Sequence, residues 1–512
     1  MKFPNLSLAA TCLALLAGFA PRTTGADTTQ PPTIQNPAER QRQLDKSKSE
    51  NPPSPVSLTI DTRRAAQEIL GFGASGAWWA QEVGAWPEAE RRALVNLLYD
   101  KTTGIGLDIY RHNIGADTMD DKNIRVWQRR AESLLDTKTG RFDWSRDASA
   151  RRVLRDVVEA GAGQVILFVN SPPVSMTING RGYLDKNTEG EGKRTNLAPE
   201  RYADFAAYLG EVTEHFARVE KMPVVALSPV NEPEVAWDTP KQEGCYYTPQ
   251  QTVDVLKAVD AELKRRKLPV RLEGPENSTW DDALKLKYFQ AINRDPVLRD
   301  TLKDFCLHSY WEQVTNGTGS SVAAKRRMRE WLDKNQPGAR LHMSEWCQIG
   351  DGKLGERMDG AMLMLRLMME DIGLFRVSTW QWWLAATYKE YRDGLIHYDS
   401  NTRKITLTKR YWVMGQFSRN LPKGSVVLGM KTDESAAKVM AFAARRPDGS
   451  VVVICANFSR EDRTLDIHFP ADEKWEAVSR SITNDRYSNG VSKGDAGGAL
   501  PARSLVAIVF RK

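Results

Sequence analysis

Between about residues 70 and 420, short β-prone runs alternate with amphipathic helical stretches, and this alternation restricts the fold more than any other property of the chain. Strands are predicted over 71–75, 106–114, 165–170, 224–231, 270–274, 305–310, 340–346 and 376–383. Helical periodicity falls between them, for example over 87–99, 199–219, 248–266, 322–333 and 357–372. Eight such units predict an α/β chain closed as a (β/α)8 barrel. A doubly wound open sheet would alternate in the same way, but the chain lacks the glycine-rich phosphate fingerprint that would support one.

Beyond a helix near 411–419 the texture changes. Short apolar runs at 426–428, 441–443, 451–455, 465–469 and 505–510 are separated by Asp448-Gly449 and other polar turns, which predicts an appended C-terminal β-sandwich. The catalytic barrel is assigned to 57–420 and the β-domain to 421–512, with 57–70 free to join the latter.

The N-terminus reads as an export signal over 1–26, with Lys2, an apolar run over 8–20 and small residues up to Ala26. That run is shorter than the roughly 20 residues a membrane span requires, and no later segment is long and apolar enough to cross a bilayer. A secreted or periplasmic location follows. Residues 27–56 lack apolar periodicity and are rich in Pro, Gln, Ser, Lys and Glu, which predicts a disordered leader. Without Lys2 and Arg22 the formal charge falls from +7 to +5, and the remaining charges are interleaved, so nucleic acid is not an expected partner. A monomer is expected. Cys245 and Cys347 each follow one of the glutamates described next; they either bridge the barrel mouth or, with Cys306 and Cys455, remain buried thiols. No CxxC or Cys/His cluster suggests a metal site.

Glu232 lies in Leu227-Ser228-Pro229-Val230-Asn231-Glu232-Pro233, and Glu345 in Leu341-His342-Met343-Ser344-Glu345-Trp346. Each closes a β-prone run, so in a parallel barrel both carboxyls emerge on the face that carries chemistry. Glycoside hydrolysis needs a proton for the leaving oxygen and a carboxylate for the oxocarbenium-like centre; a retaining pair sits about 5–5.5 Å apart. Asn231 can reach a sugar hydroxyl, and Pro233 is expected to halt the strand. Glu345, among apolar neighbours, needs a partner. It is either the nucleophile or an arginine-paired structural carboxylate. Arg111, predicted at the end of the second strand, can pair with Glu345 and keep it ionised, or form a surface ion pair. His308 and Tyr310 share one strand face, and His308 could equally be a satisfied core histidine. One member of each adjacent pair Trp78/Trp79 and Trp382/Trp383 is expected to line the cleft as a sugar platform, and Trp79 and Trp382 are the members assigned. Glu234, Glu273, Glu276 and Glu312 are further carboxylates near the same face, with no role assigned.

Residues 71–420 resemble glycoside hydrolase family 30 of clan A, a retaining family. The resemblance implies an acid/base at the end of the fourth strand and a nucleophile at the end of the seventh, where Glu232 and Glu345 fall. The C-terminal β-domain, ending in Leu500-Pro501-Ala502-Arg503-Ser504-Leu505, resembles the family as well. Tyr310 resembles the clan's tyrosine that contacts the nucleophile. Gly76-Ala77-Trp78-Trp79-Ala80, Asn170-Ser171-Pro172-Pro173 with Met176-Thr177, and Gln242-Glu243-Gly244-Cys245 are most similar to the endo-β-1,6-galactanases that attack arabinogalactan side chains, so Asn170 is taken as substrate-binding. Those galactanases tend to carry aromatic residues after Ser-Pro-Pro, where this chain has Val174-Ser175. A sugar platform is therefore absent or supplied from elsewhere. The resemblance implies a hydrolase acting on a polysaccharide or oligosaccharide through a covalent glycosyl-enzyme; two carboxyls and water complete that cycle, so no metal or organic cofactor is required. The alternatives are another specificity of the family (β-1,6-glucanase, xylanase, exo-β-galactosidase or fucosidase) or a non-catalytic carbohydrate-binding protein.

Overall fold

Parallel strands cannot be joined by tight turns, so each of the predicted strands must return through a crossover, and a right-handed series of these closes on itself. The computed structural model describes residues 55–512 except 191, 311–319, 349–356, 389–392, 435–437 and 494–497. Its first to eighth barrel strands are Gly71–Ser75, Ile109–Ile114, Gln164–Val169, Val224–Ser228, Arg271–Asn277, Asp304–His308, Arg340–Glu345 and Val377–Leu384. All pair in parallel and in chain order, and the eighth bonds the first through Thr379 and Gly71, so the sheet is a closed barrel and not an open one.

The outer helices are specified locally. Helix Pro249–Arg265 starts with a capping box between Thr248 and Gln251 and carries a proline in its first turn. Its buried Val253, Leu256, Val259 and Leu263 recur at helical spacing and form the face turned to the core. Inside the barrel, Ile109, Ile166 and Ala226 form a small apolar layer. At the strand starts Arg340 grips Asp304 through two bonds of 2.7 Å, His342 Nε2 lies 2.9 Å from the same carboxylate, and Arg271 lies 3.1 Å from Glu273. Burial opposes the charge on Asp304, but hydrogen bonds from His342 and Arg340 outweigh it and hold this carboxyl well below its ordinary value. Glu273 thus belongs to an ion-pair network at the start of its strand.

Strand Val56–Ile69 joins the C-terminal sheet, antiparallel to Ser425–Thr432 and parallel to Arg463–His468. The leader assigned to 27–56 therefore ends one residue too late, since Val56 is already paired. Alternation along strand Val451–Asn457 turns Val452, Ile454 and Ala456 toward the barrel's core cluster, and Val451, Val453 and Cys455 toward the sandwich's own core with Leu58, Ile60, Val506 and Ile508. Burial on both faces is why this strand reads as an unbroken apolar run. Helices Met358–Gly373 and Lys409–Asn420 pack against the sheet, and Gln416 Nε2 donates to Ser481 O and Leu505 O at 2.9 and 3.2 Å. Strands Glu476–Thr483, Gly490–Lys493 and Ala499–Leu500 escaped prediction because the first two are largely polar and the third is two residues long.

Cys245, Cys306, Cys347 and Cys455 are four free, buried thiols. The Cys245–Cys347 bridge is not formed: Cys347 Sγ lies 3.9 Å from Tyr310 OH, and Cys245 Sγ 4.0 Å from Thr195 Oγ1. The export signal, the leader as far as residue 54 and Glu312 lie outside the described residues. Among the described residues no helix is long and apolar enough to cross a membrane.

Candidate active site

Irregular backbone at the C-terminal strand ends gathers the carboxyl groups. The fourth strand stops at Ser228 because Pro229 has no N–H to continue the ladder, so it is Pro229 and not Pro233 that halts it. Glu232 follows in the loop with a φ of 43°. Its N–H donates to Glu276 O at 2.9 Å, and Trp237 Nε1 donates to its carbonyl at 3.1 Å. On the seventh strand Leu341 and Met343 pack in the main core, while His342 bonds Asp304 of the sixth strand and Ser344 reaches across the barrel to Glu276 of the fifth. A register shift between Met343 and Glu345 breaks this alternation and aims Glu345 inward beside Ser344. A similar shift between Pro275 and Asn277 accompanies Glu276, whose φ is 60°.

The resulting cluster is dense and almost closed to solvent. Carboxylate oxygens of Glu232 and Glu345 and a ring nitrogen of His308 all lie within 4.8 Å of one another. Arg111 Nη1 donates to Glu345 Oε2, and its Nη2 reaches Asn231 Oδ1 at 3.2 Å and Glu276 Oε1 at 3.4 Å. Tyr310 OH donates to Glu345 Oε1 at 2.9 Å. His308 Nδ1 lies 3.0 Å from Glu232 Oε1 and 3.6 Å from Glu345 Oε1, and its Nε2 lies 3.1 Å from Glu276 Oε2. Arg111 sits in the middle of the second strand, with its guanidinium 3.8 Å from the Phe168 ring centre.

Burial works against a charge on His308, but Glu345, Glu232 and Glu276 raise the ring to about 10, so it is an imidazolium at neutral pH. Burial likewise disfavours ionised Glu276, yet Arg111, His308 and Ser344 bring it down to about 2. For Glu345, burial pushes the carboxyl above its ordinary value and Glu232 adds to that push, while His308 and Arg111 pull it back. Arg111 therefore offsets the burial of Glu345 without depressing it below the ordinary range. Three carboxyls face two cations, so the cluster is neutral when one carboxyl is protonated. Glu276 is held low by its partners, whereas burial and the neighbouring Glu232 charge push the Glu345 carboxyl up.

The structure brings Glu232, Glu345, Arg111, Asn231, His308 and Tyr310 together. Asn170, 4% exposed, lies on the neighbouring third strand's exit, where its Nδ2 donates to Asn113 Oδ1 at 3.2 Å; its own Oδ1 is buried and finds no donor among the described residues. The two tryptophans assigned to the cleft are not available to it. Trp79 and Trp382 are buried, with indole N–H groups bonded to Ser75 O and Asp393 O at 2.8 and 2.9 Å. Of their neighbours, Trp78 is half-buried and Trp383 is buried; Trp383 stands edge-on to Trp78 at 5.3 Å and lies 5.9 Å from the Arg111 guanidinium. Alternation alone could not choose between adjacent residues, because a register shift between Trp382 and Leu384 disturbs it.

Glu276 was left without a role by the sequence, yet it bonds Arg111, His308, Ser228 and Ser344. The polar Ser228 at the end of an otherwise apolar fourth strand was the available hint. Glu234 is tied to Asn277 Nδ2 at 2.8 Å and Ser278 N at 2.6 Å. Two groupings could offer a metal ion ligands, Glu232/His308/Glu345 and Glu273/Asp304/His342. In both, arginines already neutralise the carboxylates: Arg111 in one, Arg271 and Arg340 in the other.

The acid-bearing loop depends on a close approach. A Cβ on Gly244 would lie 2.2 Å from the Trp237 ring, the group that holds the Glu232 carbonyl. Gly244→Ala is therefore expected to displace that indole and lower kcat about tenfold, with less change in KM, as steady-state kinetics would show.

The family description "O-Glycosyl hydrolase family 30" matches residues 55–397, and "Glycosyl hydrolase family 30 beta sandwich domain" matches 424–507. The chain is similar to an endo-beta-1,6-galactanase of Hypocrea rufa, 24% identical over 86% of this chain and 88% of the relative. It is also similar to the endo-1,6-beta-D-glucanase BGN16.3 of Trichoderma harzianum, 23% identical over 83% and 84%. A solved structure of a conserved exported protein from Bacteroides fragilis superposes with a TM-score of 0.77 at 21% identity, covering 88% of this chain and all of that one.

Proposed function

The chain belongs to O-glycosyl hydrolase family 30, a retaining family, and from that premise we propose that Glu232 is its acid/base, Glu345 its nucleophile, and β-1,6-linked galactan its substrate. The observation that carries the residue assignment is the approach of the two carboxylates to within 4.8 Å, a spacing with no room for the intervening water of an inverting pair. In the first step a Glu345 oxygen attacks the anomeric carbon while Glu232 gives its proton to the leaving glycosidic oxygen. The product is a glycosyl ester on Glu345. In the second step Glu232 takes a proton from water, which attacks the same carbon and releases Glu345. Arg111 and Tyr310 meet the carboxylate that is regenerated. Asn231, fixed by Arg111, and Asn170, with its unpaired oxygen, are placed to bind sugar hydroxyls.

The β-1,6 linkage is supported by the two curated relatives, both named for it, and galactan by the relative with the greater coverage. β-1,6-glucan is the second reading, favoured by the other. Export is supported by residues 1–26 and by the similar Bacteroides protein, which is described as exported. The test is chromatography of products from de-arabinosylated arabinogalactan beside β-1,6-glucan and glucuronoxylan, with Glu345→Gln as control. Galacto-oligosaccharides released by the wild type alone are expected, and their size distribution separates endo from exo attack. Turnover confined to either other glycan would replace the substrate assignment.

A further inference from the structure

Glu276 is the point where five barrel strands meet. It stands on the fifth strand, with a side chain about 1% exposed. Its Oε1 accepts from Ser228 Oγ of the fourth strand at 2.9 Å and faces Arg111 Nη2 of the second at 3.4 Å. Its Oε2 accepts from Ser344 Oγ of the seventh and faces His308 Nε2 of the sixth at 3.1 Å. Its backbone carbonyl also accepts the N–H of Glu232. A carboxylate with four donors from four strands has little freedom to turn, and its backbone is held in the left-handed region that non-glycine residues seldom adopt.

The consequence for His308 is directional. With Nε2 fixed on Glu276, the ring can present only Nδ1–H toward the gap between Glu232 Oε1 at 3.0 Å and Glu345 Oε1 at 3.6 Å. We propose that Glu276 is a positioning residue that, through His308, holds a cation between the two catalytic carboxyls and so governs how they share their proton as the reaction proceeds. This rests on the assignment of Glu232 and Glu345 given above. The balance is simple. In the first step the proton leaves Glu232 for the leaving oxygen while the Glu345 charge is consumed in the ester. In the second, Glu232 regains a proton from water as Glu345 becomes a carboxylate again. At both ends of each step one of the two carries negative charge, and His308 is within reach of either without giving up a proton itself. The charged and titratable groups facing the ring are Glu232, Glu276, Glu345 and Tyr310, and Arg111 pairs with two of these carboxylates, Glu276 and Glu345. Only Glu276 among the carboxylates is untouched by the reaction, so it alone can hold the imidazolium throughout.

Glu276→Gln keeps the size and an acceptor oxygen but removes the charge, and Glu276→Asp restores charge with a shorter reach. Two readouts are needed. The first is the 15N spectrum of histidine-labelled protein, in which His308, one of six histidines, is assigned by its loss in His308→Asn. The wild-type ring should keep both protons through pH 8, whereas in Glu276→Gln it should titrate below pH 8. The second is the pH profile. In Glu276→Gln kcat should fall about 10–100-fold with KM changing far less, and the alkaline limb should move to lower pH, following the new His308 ionisation. Glu276→Asp should recover part of both. A Glu276→Gln protein with wild-type folding, an unchanged His308 spectrum and an unchanged pH profile would overturn the proposal. Glu345→Gln, run in parallel, tests the underlying assignment: if it stays active the nucleophile is misassigned, whatever Glu276 does.

Discussion

Glu345→Ala is expected to lose turnover by on the order of 10^4-fold or more and to recover part of it in azide, yielding the α-glycosyl azide from a β-glycoside. The geometry gives the reason. Truncating Glu345 opens a small space beside Arg111 and Tyr310, which then lack the anion they were placed to meet. Azide is a small anion that can occupy this space and attack the anomeric carbon directly, while Glu232 still protonates the leaving group. One displacement inverts the centre. Glu232→Ala should behave differently. With a 2,4-dinitrophenyl leaving group, which departs without a proton, the glycosyl ester on Glu345 can still form. Azide then attacks that ester from the face Glu232 has vacated, and two displacements return the β-azide. The anomeric proton coupling in the NMR spectrum of each product decides. If the two variants gave the opposite anomers, the roles would be exchanged; full activity in either variant would remove that residue from the pair.

The barrel was legible in the sequence because strand and helix periodicities differ, and closure followed from their repetition. The same logic placed Glu232 and Glu345 on one face. It failed where backbone irregularity overrides periodicity. Glu345 is aimed inward by a register shift in its strand, Glu276 sits at a second, and a third disturbs the strand carrying Trp382 and Trp383. A register shift leaves no composition signal, so Glu276 read as one more carboxylate, and along the eighth strand alternation could not choose between Trp382 and Trp383. Pro229 was equally visible in the sequence, but two prolines flank Glu232 and only the ladder shows which one ends the strand. In the sandwich, short strands such as Gly490–Lys493 gave no alternation to find.

Arg111→Met should cost about 3–5 kcal/mol of stability at neutral pH, because it leaves buried carboxylates without their cation, and it should lower kcat/KM about a thousandfold. The Arg111 side chain is 1% exposed, and its guanidinium bridges Glu345, Glu276 and Asn231. Lysine offers a single point charge and cannot span these partners, so Arg111→Lys should rescue stability more than activity. The pH dependence separates lost charge from lost packing. In the wild type Glu276 is depressed to about 2, below its ordinary value of roughly 4.3, so it contributes stability above pH 4.3 that is lost as pH falls toward 2. Without Arg111 the folded-state value rises and that contribution shrinks or reverses, while below pH 4.3 the protonated carboxyl needs no cation. The stability gap between wild type and Arg111→Met, measured by urea denaturation followed through tryptophan fluorescence, should therefore narrow between pH 7 and pH 3, on either side of the ordinary carboxylate value. A gap of equal size at both would mean that Arg111 acts chiefly by packing on Phe168. A gap that narrows would identify the cation as the element that allows three carboxyls to be buried at the centre of one barrel.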